Sequence, residues 1–133
     1  WLEHLGALAE QLDVISIHTY PVWEFKSIDE GLAYTIANYE AVKSAYPDKQ
    51  IIITEAGWAT KSNGRGIESH NVNEEFQHQY FHQLMDWAEQ QQVLVYFFEA
   101  FDENWKGSND PLEPEKHWGI YKADRSPKLV MQN

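Results

Sequence analysis

The sequence contains no cysteine, which removes disulfides and thiol chemistry from consideration. Positive charge is scarce: 10 Lys and Arg stand against 21 Asp and Glu, a formal net charge of −11. Nucleic acids and anionic membranes need a basic face, so this balance argues against both as partners and leaves a neutral polymer compatible. No run approaches the roughly 20 apolar residues of a membrane span. Trp1-Leu2-Glu3-His4 shows neither the basic start nor the apolar stretch of a signal peptide. No Gly-rich turn follows any apolar run, so the dinucleotide-binding fingerprint is missing.

What is present is apolar and aromatic. A hydrophobic fraction of 43% supports a core, and 14% aromatic residues, with six Trp and seven Tyr, suit either a core or a carbohydrate cleft. At 133 residues the chain is one domain's worth or part of a larger one.

The chain is organised around Ile51-Ile52-Ile53-Thr54-Glu55-Ala56-Gly57-Trp58. Three β-branched residues in a row read as a strand buried on both faces, as in a parallel sheet. Such a strand delivers Glu55 to its carboxyl end, where parallel α/β folds place their ligands. Gly57 is expected to let the backbone turn sharply, and Trp58 to offer a flat apolar surface that suits the face of a sugar ring as well as a core.

Leu2, Leu5, Leu8 or Ala9, and Leu12 recur at helical spacing and predict a short helix to about Leu12. Val14 to Tyr20 predicts a strand with Ile15, Ile17 and Thr19 towards helices and Ser16, His18 and Tyr20 towards a polar cavity, ended by Pro21. Ser27 and Glu30 form a capping box for a helix with a buried stripe of Ile28, Leu32, Ile36, Tyr39, Val42 and Tyr46. After a polar loop over 59–72, Asn73 caps a third helix that buries Phe76, Tyr80, Leu84, Trp87 and Ala88. Val93 to Phe98 predicts a third strand, and a second long loop covers 107–117. Ser126-Pro127-Lys128 is expected to open a further helix. Strands about 40 residues apart, all ending in polar or acidic groups, favour a barrel mouth over a doubly wound sheet.

Three ordered blocks make a family resemblance. Thr54-Glu55-Ala56-Gly57-Trp58-Ala59 resembles the signature of glycoside hydrolase family 17, the β-1,3-glucanase family. Phe101-Asp102-Glu103-Asn104-Trp105-Lys106, followed by Glu115 to Gly119, is similar to the next block of that family, and Val14 to Pro21 to the preceding one. The resemblance implies an α/β fold, specifically a (β/α)8 TIM-barrel segment matching strands six to eight with their helices, preceded by one helix. Residues 1–133 would then be the carboxyl-terminal part of a single barrel domain, in an extracellular or cell-envelope protein.

The resemblance further implies Glu55 as catalytic nucleophile, with Tyr20 near it. Glu103, Lys106 and Glu115 would surround the reacting sugar, and Trp58 would line the cleft. Glu99 and Trp105 are assigned to substrate contact; His18, from its place on the cavity face of the first strand, reads as a donor to Glu55 or a sugar hydroxyl, or as a core histidine bonded to a neighbour. A retaining glycosidase needs two carboxyl groups about 5–5.5 Å apart, one attacking the anomeric carbon and one protonating the leaving oxygen. A lysine and a tyrosine hydroxyl nearby would keep the attacking group ionised. The family's proton donor sits in an Asn-Glu motif on its fourth strand, which has no match here, so the chain by itself is expected to be inactive.

The chemistry calls for no cofactor. His78-x-x-x-His82 lacks the Glu of H-E-x-x-H and reads as a surface pair, not a metal site. Trp23, Trp58, Trp105 and Trp118 are the candidates for sugar stacking. The expected partner is a β-1,3-glucan such as laminarin, acted on by hydrolysis; the alternatives are transglycosylation or a non-catalytic glucan-binding module. Unpaired sheet edges predict self-association or pairing with the rest of a barrel.

Overall fold

The computed structural model describes residues 2–132. In chain order it contains α1 (Gly6–Ala9), β1 (Val14–Thr19), α2 (Ile28–Ala45), β2 (Gln50–Ala56), α3 (Glu74–Gln91) and β3 (Val95–Phe97). The three strands form one parallel sheet in the order β1-β2-β3. This is the βα rhythm expected from the sequence.

The α1 helix is much shorter than the leucine spacing predicts. Leu2, Leu5 and Leu8 stay exposed and only Ala9 is buried, so the apolar stripe meets no core to hold a longer helix. In β1 the alternation holds: Ile15, Ile17 and Thr19 are buried, while Ser16 and His18 lie on the open face. Pro21 then starts a 3-10 turn, Pro21–Glu24.

Ser27 caps α2 with Glu30, whose carboxylate accepts from both the Ser27 amide at 2.9 Å and its hydroxyl at 2.8 Å. The helix buries Ile28 and Val42 fully, together with Gly31 and Thr35, which the stripe does not include. Asn73 caps α3 by accepting from the Phe76 amide at 2.6 Å. Tyr80, Leu84 and Ala88 are buried as expected, and Phe76 and Trp87 pack at the core's edge. Thr35 and Tyr80 join the two helices through a buried hydroxyl pair at 2.7 Å.

Two features of the strands depart from expectation. Ile51 and Ile53 are buried, but Ile52 and Thr54 are only half-buried. Helices pack on the face that carries Ile51 and Ile53, while Ser16 and His18 are exposed on the other. The second departure is a bulge in β2. Ile17 pairs with Ile53 but His18 pairs with Glu55, which leaves Thr54 without an opposite number on β1. Against β3, Thr54 and Glu55 together face the single residue between Val95 and Phe97.

The strand β3 is shorter than Val93 to Phe98 because Val93 closes α3 instead, donating its amide to Ala88 at 2.8 Å. The tail makes a 3-10 turn, Leu129–Met131, in place of the helix expected at Ser126-Pro127-Lys128. Gly57 serves a close approach, not a sharp turn: a Cβ there would lie 2.1 Å from the Phe98 carbonyl oxygen.

Candidate active site

The bulge decides where Glu55 points. Strict alternation from Ile51 and Ile53 would send Glu55 to the helix side. One unpaired residue reverses the face, and Glu55 emerges on the same side as His18. There its Oε2 accepts a hydrogen bond from the Tyr20 hydroxyl at 2.5 Å, with His18 Nδ1 3.2 Å from the same oxygen. Burial and the bond to Glu55 raise the Tyr20 pKa, so the phenol keeps its proton and remains a donor.

A pocket of about 360 Å³ opens beside this pair, lined by Tyr20, Trp23, Glu55, Phe98, Lys106, Glu115 and Trp118. Lys106 is its cation. The ammonium lies 3.3 Å from Glu103, 3.6 Å from Glu99 and 3.8 Å from Glu115, and 4.4 Å above the centre of the Phe98 ring. Three carboxylates share one lysine. Burial pushes Glu99 up to about 7, against the pull of Lys106 and helped by Glu103 and Glu115.

A second, buried network holds the loop that carries Glu103, Lys106 and Glu115. Lys128 is 2% exposed and donates to Asp102 at 2.7 Å and to the Thr60 hydroxyl at 2.8 Å. Asp102 Oδ1 also accepts from the Gly119 amide at 3.0 Å. Burial alone would raise Asp102, but hydrogen bonds and charge from His117 and Lys128 outweigh it and hold the carboxyl below its ordinary value. Burial lowers Lys128, and Asp102 offsets part of that. Gln77, also buried, spans from α3 to the Trp58 carbonyl at 3.0 Å and the Trp118 carbonyl at 3.1 Å. It tethers the end of β2 to the loop opposite.

Of the residues singled out in the sequence, Tyr20, Glu55, Lys106 and Glu115 line one pocket, His18 adjoins Glu55, and Glu99 and Glu103 join through Lys106. Trp58 does not belong with them. It is 0% exposed, its indole N–H bonds to the Asn71 carbonyl at 2.9 Å, and its ring packs on Tyr80. After the bulge the chain alternates again, so Trp58 falls on the helix side and is a core residue. Trp105 is 77% exposed beside Lys106 and is not part of the pocket wall.

Phe98 was not anticipated, although its position at the end of the third strand was the available signal. Asp102, Lys128 and Gln77 were not anticipated either. Gln77 shares the 77, 80, 84, 88 periodicity of buried α3 residues, a pattern that reading only apolar types passes over.

Residues 1–119 match the sequence model of the BtgE/BtgC glycoside hydrolase domain. A glucan 1,3-beta-glucosidase of Arthroderma benhamiae is 30% identical over 130 residues, which cover 85% of this chain and 40% of that protein. Among solved structures, an endo-laminarinase from Formosa superposes with a TM-score of 0.88 at 26% identity, over 98% of this chain and 40% of that one. The glycoside hydrolase family 17 beta-1,3-glucanosyltransferase of Rhizomucor miehei gives 0.82 at 25% identity, over 98% and 47%. The chain thus spans less than half the length of each of these proteins.

Proposed function

The chain belongs to the BtgE/BtgC glycoside hydrolase family and, with its relatives, to glycoside hydrolase family 17; from that premise we propose that it supplies the nucleophile side of a retaining β-1,3-glucan-cleaving site. The observation that carries this is Glu55, turned by the bulge into a pocket and held there by the Tyr20 hydroxyl. In this reading the three strands are strands six to eight of a (β/α)8 barrel, and residues 1–133 are one part of its catalytic domain.

Glu55 Oε1 or Oε2 attacks the anomeric carbon of a bound glucosyl unit, and the glycosidic oxygen leaves with a proton from a separate acid. Tyr20 donates to the carboxylate and orients it for attack. Lys106, with Glu103 and Glu115 around it, holds sugar hydroxyls beside the reacting centre. Water, giving a proton back to the separate acid, then attacks the anomeric carbon and breaks its bond to Glu55. No residue of this chain is assigned the acid role, so laminarin hydrolysis by these 133 residues alone is expected to be absent. Turnover would reassign the acid to Glu99, Glu103 or Glu115.

A mechanism-based fluoroglycoside with an activated leaving group tests the nucleophile directly, because such a group departs without protonation. Peptide mapping should place the label on Glu55, and Glu55→Gln should abolish labelling while the fold survives. A label on Glu103 or Glu115 would sink the assignment. Similarity to a glucanosyltransferase favours transglycosylation as the second reading, in which a sugar replaces water. Longer products from laminari-oligosaccharides would show transfer, shorter ones hydrolysis. β1 and β3 are the outer strands of the sheet, so sedimentation should show association at moderate concentration.

A further inference from the structure

The loop over 59–72 is longer than the connection from β2 to α3 requires, and the proposed chemistry uses none of its side chains. Its internal order is nonetheless high. Ser62 donates to the Ile67 carbonyl at 2.5 Å and accepts from the Gly64 amide at 3.0 Å, while Ile67 is fully buried. Asn71 reaches across to the Lys26 carbonyl at 2.7 Å and accepts from the Trp58 indole. The loop is thereby stapled to the segment after β1, the same segment that carries Trp23.

The contact that gives this stapling a purpose is at Gly66. Gly66 has a φ of +80, and a Cβ built there would lie 2.4 Å from Cζ3 of Trp23. No real side chain tolerates that separation, so the loop backbone is pressed directly against the indole. Trp23 is half-buried, tilted by 31° on Trp118 with ring centres 6.2 Å apart, and forms a wall of the pocket that holds Glu55. Its ring is confined between the loop and Trp118.

We propose that the 59–72 loop is a positioning element for the pocket, with Gly66 setting the place of Trp23 as the aromatic wall against which a glucosyl unit stacks. This rests on the reading of the pocket as a β-glucan site. An indole offers a flat apolar face to the C–H side of a pyranose, and displacing it changes which sugar pose leaves the anomeric carbon in reach of Glu55. Gly66 touches no sugar itself; it acts through Trp23.

The structure contains its own control. Gly64 lies two residues earlier, also at positive φ (+84), but a Cβ there meets nothing within 4 Å. Alanine at either position carries a comparable backbone strain, and only Gly66→Ala collides with the indole. The test uses the full chain labelled with fluorotryptophan, the Trp23 resonance being identified by its loss in Trp23→Phe. Fluorine NMR reports the position of Trp23 without any sugar, and titration with laminarihexaose reports binding.

Gly66→Ala should shift the Trp23 resonance, leave that of exposed Trp105 in place and weaken laminarihexaose binding about tenfold, a loss typical of one aromatic contact. Gly64→Ala should match the parent in both readouts. Equal effects of the two variants, with parental binding intact, would overturn the positioning role and leave the glucan reading standing. A parental chain that binds no laminarihexaose would overturn the glucan reading and the stacking wall together. In that case a Trp23 shift confined to Gly66→Ala would report only a packing contact.

Discussion

Tyr20 and Glu55 lie 35 residues apart in sequence and share one hydrogen bond of 2.5 Å at the ends of adjacent strands. Tyr20 directly follows β1 and Glu55 lies near the end of β2, so adjacent strands of the sheet present the pair. The neighbouring His18 approaches the same carboxylate oxygen from the strand below Tyr20. Removing the hydroxyl is the cleanest way to ask what the bond does. Tyr20→Phe should slow labelling of Glu55 by about 10- to 100-fold, as expected for a hydrogen bond to a charged group worth about 1.5–3 kcal/mol. A labelling rate within twofold of the parent would show that Tyr20 only packs.

Glu99 should leave a signature in the pH dependence of stability. Its pKa of about 7 lies above the ordinary value of 4.5, chiefly because the carboxyl is buried. The folded chain therefore binds more protons than the unfolded one between those values, and stability falls as pH rises through that window. Below it, Glu99 is neutral in both states and costs nothing. Glu99→Gln should thus raise the melting temperature at about pH 8 and leave it nearly unchanged at about pH 4. Solvent screening limits the gain to about 1 kcal/mol. An equal shift at both pH values would mean that packing, not titration, is responsible.

Trp58 and Trp105 should part company under alanine substitution. Trp58 is fully enclosed, so Trp58→Ala should cost about 3–5 kcal/mol in denaturant unfolding. Trp105 is 77% exposed, and Trp105→Ala should change stability by less than about 0.5 kcal/mol. Trp105 is assigned to substrate contact, so the same variant should lose affinity in a laminarihexaose titration. A large stability loss at Trp105 would return it to a packing role.

The buried pair of Lys128 and Asp102 predicts a non-additive cycle. Lys128→Met strands the Asp102 carboxylate away from water, at a cost of about 3–5 kcal/mol. The double variant, Lys128→Met with Asp102→Asn, removes the stranded charge and should recover much of that loss. Urea unfolding of the four proteins of the cycle checks it; simple additivity would mean that the pair does not stabilise the loop as a unit.

Local chemistry carries its information in the sequence itself. The Ser27–Glu30 capping box, the Asn73 cap, the alternation of Ile15, Ile17 and Thr19, and the block around Glu55 all depend on neighbours a few residues away, and each was legible before any fold was known. The resemblance of three ordered blocks likewise fixed the family. What remained hidden depended on distant partners. The face that Glu55 presents is set by one unpaired residue, Thr54, and a bulge exists only relative to the strands on either side of it. The same reversal sends Trp58 into the core, where the family resemblance implies a place in the cleft. The burial of Gln77 and of the Lys128–Asp102 pair follows the same rule. A polar group is stable in a core only where carbonyls and counter-charges from other segments converge on it, and that convergence is a property of the folded chain.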